Sequence, residues 1–118
     1  MIDPHAFAAE WIAAWNAHDL ERILSSYAED VVFLSPHALS RVGTGRVEGV
    51  GGLRRYWGPA LAAQPTLRFD LRSVLVGFNC LTILYSNHHG VAAAESFEFD
   101  AADKVSRSIA CYGSSKDE

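Results

Sequence analysis

The chain carries two hydrophobic periods in succession. Up to about residue 63 apolar side chains recur at helical spacing, and beyond residue 66 they alternate in the manner of strands. Asp3-Pro4 opens a first helix, because the carboxylate accepts from the free N–H groups of the first turn and Pro suits the first helical position. Phe7, Trp11, Ala14 and Trp15 then fall on one aromatic face, and the helix stops near Ala17-His18. Asp19 caps a second helix with Leu20, Ile23, Leu24 and Tyr27 on one face, until Glu29-Asp30 breaks the pattern. Val31-Val32-Phe33-Leu34 predicts a short strand closed by Ser35-Pro36, since Pro cannot continue a central ladder. From His37 to Gly45 the mixture of Ser, Gly and Thr predicts a loop around a weak strand. A third helix runs from Leu53 to about Ala63, ended by Gln64-Pro65.

Four antiparallel strands account for the rest: residues 66–76, 78–86, 91–99 and 104–112, with turns at Gly77, Asn87–Gly90 and Asp100–Asp103. The order α-α-β-β-α-β-β-β-β, helices early and a long sheet late, predicts a single α+β domain over residues 1–113 with a frayed polar tail. A strongly curved sheet under helices leaves a concavity, and concavities of this kind take small ligands.

Composition narrows the partners. The formal charge is −4 and the densest basic pair is Arg54-Arg55, which argues against a nucleic-acid partner. Apolar runs fall well short of the roughly 20 residues of a membrane span. Cys80 and Cys111 lack metal-type spacing and read as free, buried thiols in a reducing, cytoplasmic setting. The segment Gly49-Val-Gly-Gly52 lacks the Lys and flanking strand of a phosphate-cradling loop, so no nucleotide, flavin or metal cofactor is expected.

Glu95 carries the chemical interest. It lies in the alternating run Val91–Asp100 and shares a strand face with Phe97 and Phe99. A carboxylate on an aromatic face must be paired, directed to water, or kept protonated, and in the third case it is a candidate acid or base. Its cross-strand partners depend on the turn. With His88-His89 central, Thr82 faces Glu95 and Cys80 faces Phe97. With one more loop residue, the facing set becomes Leu81, Ile83 and Tyr85.

The motifs Trp11-Ile-Ala-Ala-Trp-Asn-Ala-His-Asp-Leu20, Tyr27-Ala-Glu-Asp-Val-Val-Phe33, Gly45-Arg-Val-Glu-Gly49 and Phe97-Glu-Phe-Asp100 with Lys104-Val105 resemble the SnoaL-like branch of the NTF2-like superfamily. The resemblance spans nearly the whole chain and implies a cone-shaped fold and a homodimer paired through the outer sheet face, where Ala92 and Ala94 lie. It is specific for fold and weak for activity, because isomerases, cyclases, dehydratases, hydrolases and non-catalytic domains share this architecture. Set against the ketosteroid isomerases of that superfamily, Trp11 and Trp57 stand where pocket tyrosines are found. Ser35, before Pro36, stands at the general-base Asp, and Glu95 at the acid that stays protonated. A Ser without an activating partner cannot take a carbon-bound proton, so ketosteroid isomerase activity is not expected.

Two readings follow. In the first, the chain is a cofactor-independent acid–base enzyme for a small, largely apolar, ring-containing molecule. Glu95 is its catalytic residue, and Trp11, Trp15, Tyr27, Ser35, Trp57 and Phe97 form the substrate-binding wall. In the second, the domain binds a ligand or assembles as a dimer without catalysis. His88-His89 is read as an exposed turn rather than a metal pair, because zinc needs three or four convergent ligands. His37 is placed near the cavity mouth.

Overall fold

The computed structural model describes residues 2–114; the last four residues, part of the expected frayed tail, lie outside it. The elements are α1 (Pro4–Asn16), α2 (Leu20–Leu24), β1 (Tyr27–Leu34), α3 (Pro36–Val42), β2 (Arg46–Glu48), α4 (Gly49–Ala63), β3 (Asp70–Gly77), β4 (Cys80–Ser86), β5 (Ala92–Phe99) and β6 (Val105–Tyr112). One curved, unclosed sheet has the order β2-β1-β6-β5-β4-β3. Only the β1–β6 pair is parallel; the other neighbours are antiparallel. Breaks in register in β1, β3 and between β5 and β6 bend the sheet.

The predicted caps are in place. Asp3 accepts from the N–H groups of His5 and Ala6 at 3.1 Å, and Asp19 from that of Arg22 at 3.2 Å. α1 lays Ala8, Trp11, Ala14 and Trp15 on the inner sheet face, where they meet Leu81, Ile83, Tyr85 and Phe97 in one core.

Several expectations need correction. Tyr27 begins β1 instead of ending α2. The Ser25 hydroxyl donates to the carbonyl of Arg22 at 2.7 Å, and the Val105 N–H bonds to Ser26, drawing Tyr27 into register with Val105. The segment expected as a loop contains α3. Ser35-Pro36 is a strand terminator and equally a helix start, the same pairing as Asp3-Pro4. The Ser35 hydroxyl accepts from the His37 N–H at 3.2 Å, and Gly43, at φ +84°, ends the helix in the left-handed region. α4 starts at Gly49, four residues earlier than its apolar face suggests. The third strand begins at Asp70 rather than near Thr66, because the Asn16 side chain bonds both the N–H and the carbonyl of Phe69. Both cysteines are free, but Cys80 is half-buried and Cys111 exposed, so neither is the core thiol that was expected. No helix among the described residues is long and apolar enough to cross a membrane.

Candidate functional site

The β4–β5 turn settles the partners of Glu95. The Asn87 side chain accepts from the N–H groups of His89 and Val91, and Gly90 takes φ +76°, which makes a three-residue loop. Glu95 therefore faces Ile83, and Phe97 faces Leu81, the longer-loop alternative. On its other side Glu95 is opposite Ala110 of β6, whose small side chain leaves room for a carboxyl. The Ser108 hydroxyl, one pair along the same face, donates to Glu95 Oε2 at 2.9 Å.

Glu95 is 3% exposed, and no described cation pairs with it. Burial in apolar surroundings penalises the charged form and lifts its pKa to about 8, against a smaller opposing effect of the Ser108 hydrogen bond. At neutral pH it is a carboxylic acid. The phenols of Tyr27, Tyr56, Tyr85 and Tyr112 all feel its charge. Burial is the main reason each is raised above the ordinary tyrosine range, and Glu95 adds to it. Ser35, close to Tyr56 and Tyr112, partly offsets the rise at both phenols.

That open end is a cavity of about 390 Å³. Trp15, Trp57, Leu61 and Phe69 form apolar wall; Tyr56, Tyr85 and Tyr112 contribute phenols; α3 and the β4–β5 turn supply the polar rim. Trp15 packs edge-on against Trp57 at 4.9 Å, and Phe69 lies 4.5 Å from Tyr85. His37 stacks flat on Tyr112, centroids 3.8 Å apart and planes 7° from parallel. Partial burial, with Arg41 nearby as a lesser cause, holds its imidazole pKa below the ordinary value.

The predicted residues divide by depth. Trp15 and Trp57 line the open cavity. Trp11, Tyr27, Ser35, Phe97 and Glu95 lie behind its wall, where Trp11 Nε1 donates to the Tyr27 hydroxyl at 3.1 Å and Phe97 is fully buried. Tyr56, Tyr85, Tyr112 and Ser108 are the groups that sequence reasoning underrated. Period-two alternation places Ser108, Ala110 and Tyr112 on one face, but only the strand register joins that face to Glu95. Among the described residues no His, Cys, Asp and Glu group converges as a metal site.

No curated protein matches the sequence. Among solved structures, a SnoaL-like protein of unknown function from Burkholderia thailandensis E264 is 36% identical over 94% of each chain, with a TM-score of 0.91. A proposed isomerase of the SnoaL-like family from Agrobacterium tumefaciens C58 shares 17% identity over 94% of this chain and 97% of its own, at 0.74. A proposed polyketide cyclase from Sinorhizobium meliloti shares 17% over 90% and 94%, at 0.72. The last two show the likeness of fold alone. Residues 8–107 match the SnoaL-like domain, and with the curved sheet, the helical cover and the aromatic concavity now described, the chain belongs to the SnoaL-like family of NTF2-like proteins.

Proposed function

We propose that the protein takes a small, largely apolar, ring-containing molecule into the aromatic cavity and catalyses a cofactor-independent proton shift on it, of the kind that underlies isomerisation, dehydration or cyclisation. The observation that carries this reading is Glu95, a buried carboxyl whose only hydrogen-bond donor among the described residues is the Ser108 hydroxyl, beside a cavity wall lined by phenols. A buried charged acid without a cation is costly to a fold, and at a pKa of about 8 Glu95 keeps its proton near neutral pH. In this mechanism the phenols of Tyr85 and Tyr112 donate hydrogen bonds to a substrate carbonyl and stabilise the oxyanion that develops there. Glu95, still protonated, supports those phenols from behind. His37, its pKa held down, accepts the proton that leaves the adjacent carbon. Trp15 and Trp57 hold the ring. The proposed isomerase and polyketide cyclase among the structural neighbours would perform chemistry of this class on the same fold.

The test is exchange of the carbon-bound protons of 2-tetralone in deuterated buffer, followed by NMR. The wild-type protein should accelerate the exchange, and Glu95→Gln should abolish most of the acceleration while still binding the ketone. A protein that binds tetralone but exchanges it no faster than buffer is a carrier instead. The fact favouring this second, non-catalytic reading is that Glu95 does not itself line the open cavity. On either reading we propose a homodimer through the outer sheet face around Ala92, Ala94 and Cys111, and a cytoplasmic setting. Light scattering checks the dimer.

A further inference from the structure

The rim of the cavity has a chemistry that the aromatic wall does not explain. None of its lining residues is an Asp or Glu, although the chain holds 14 acidic residues against 10 basic ones. Instead α3 presents His37 and Arg41, and the β4–β5 turn presents His88 and His89. Arg41 differs from most arginines of the molecule. Arg22, Arg46, Arg54, Arg68 and Arg107 each lie within 4 Å of a carboxylate on the surface, and Arg72 bonds the Ser86 hydroxyl. Arg41 has no carboxylate partner among the described residues, and its charge is felt by His37 and Tyr56 in the cavity wall. A second, independent observation points the same way. Trp15 is 6% exposed and lines the cavity, yet its indole N–H has no partner among the described residues; the buried Nδ1 of His88, also on the rim, has none either. A buried donor left without an acceptor is uncommon, and one on a cavity wall is readily satisfied by what enters.

Resting on the small-molecule reading above, we propose that the ligand is an aromatic or alicyclic carboxylic acid, its ring among Trp15, Trp57 and Phe69 and its carboxylate held at the rim by Arg41. Guanidinium and carboxylate make strong charge-assisted, often bidentate, hydrogen bonds, and no lining carboxylate competes for the cation. The acid Glu95 does not repel such an anion, because it is neutral in the folded chain near pH 7. About 390 Å³ suits one or two fused rings with a small substituent.

The probes are 2-naphthoate and the neutral 2-naphthamide, of the same shape, titrated calorimetrically into the full chain at pH 7. Naphthoate should bind roughly tenfold tighter or more, as a charge-assisted bond implies. Arg41→Gln, on an exposed position of α3, should bring naphthoate down to the affinity of naphthamide, with circular dichroism confirming the fold. Trp15→Phe should weaken naphthoate further through loss of a donor. Equal affinity for the two compounds, or a preference for naphthoate that survives Arg41→Gln, overturns the acid assignment and leaves the aromatic cavity standing. Binding of neither compound overturns both.

Discussion

Trp11 and Trp15 lie one turn apart on the same face of α1, and the two ends of the concavity differ as these two residues do. At the Trp11 end no buried side-chain polar atom lacks a partner among the described residues. The Trp11 indole donates to Tyr27 and meets Phe97 edge-on at 5.5 Å, and Phe7 packs edge-on behind at 5.0 Å from Phe97 and 5.2 Å from Phe99. At the Trp15 end the rings still touch, but the indole N–H has no acceptor among the described residues, and phenols and imidazoles line the open cavity. Equal aromatic content therefore gives a core at one end and a binding wall at the other. The difference lies in whether the polar edge of each ring meets a partner from the chain itself.

The largest effect that sharpens this contrast is expected at the dry end. Phe97→Ala removes a fully buried ring between Phe7 and Trp11 and should cost about 3–5 kcal/mol in denaturant unfolding. A loss below about 1 kcal/mol would mean that this end is no better packed than the open one.

Next comes the acid between the two ends. With a folded pKa of about 8 against 4.5 for an accessible Glu, the folded chain keeps a proton that the unfolded chain has released between those values. The contribution of Glu95 to stability should therefore be full below about pH 4.5, fall as pH rises towards 8, and level off above it. Glu95→Gln should flatten the melting temperature across that window, where the wild-type falls by at least several degrees, roughly the response expected of a domain this size. The carboxyl infrared band of Glu95 should titrate near the same pH, and Ser108→Ala should move it higher, because the serine hydrogen bond favours the ionised form.

The two tryptophans provide a smaller and more direct test. Trp11→Phe breaks a buried hydrogen bond and leaves the Tyr27 hydroxyl without its donor, at a cost of about 1–3 kcal/mol. Trp15→Phe breaks none, so its effect on stability should be the lesser of the two while its effect on ligand affinity is the greater. A reversal of that order in paired melts and titrations would erase the distinction between core and wall. Phe78, 94% exposed at the β3–β4 turn, belongs to neither end, and Phe78→Ser should change stability by no more than about 0.5 kcal/mol.

Much of this was legible in the residues. The caps Asp3 and Asp19, the aromatic face of α1, the alternation of β5 and the carboxyl on its inner side all depend on neighbours a few positions apart, where propensity and periodicity act directly. The family motifs added the fold, and with it the concavity. Helix α3 escaped the linear pattern, because Ser35-Pro36, which repeats the start of α1, equally ends a strand. What the linear pattern could not determine was depth. Tyr27 belongs to β1 because Ser26 and Val105, 79 residues apart, meet across a parallel pair. Glu95 finds Ser108 because a three-residue turn sets one strand register and the β5–β6 pairing sets the next. Trp15 rather than Trp11 reaches the cavity because α3 and the β4–β5 turn stop short of closing that end. A sequence fixes which face a side chain takes, since that is a matter of period. Which residues of that face meet each other, and which meet a ligand, depends on pairings between distant segments, and only the folded chain decides those.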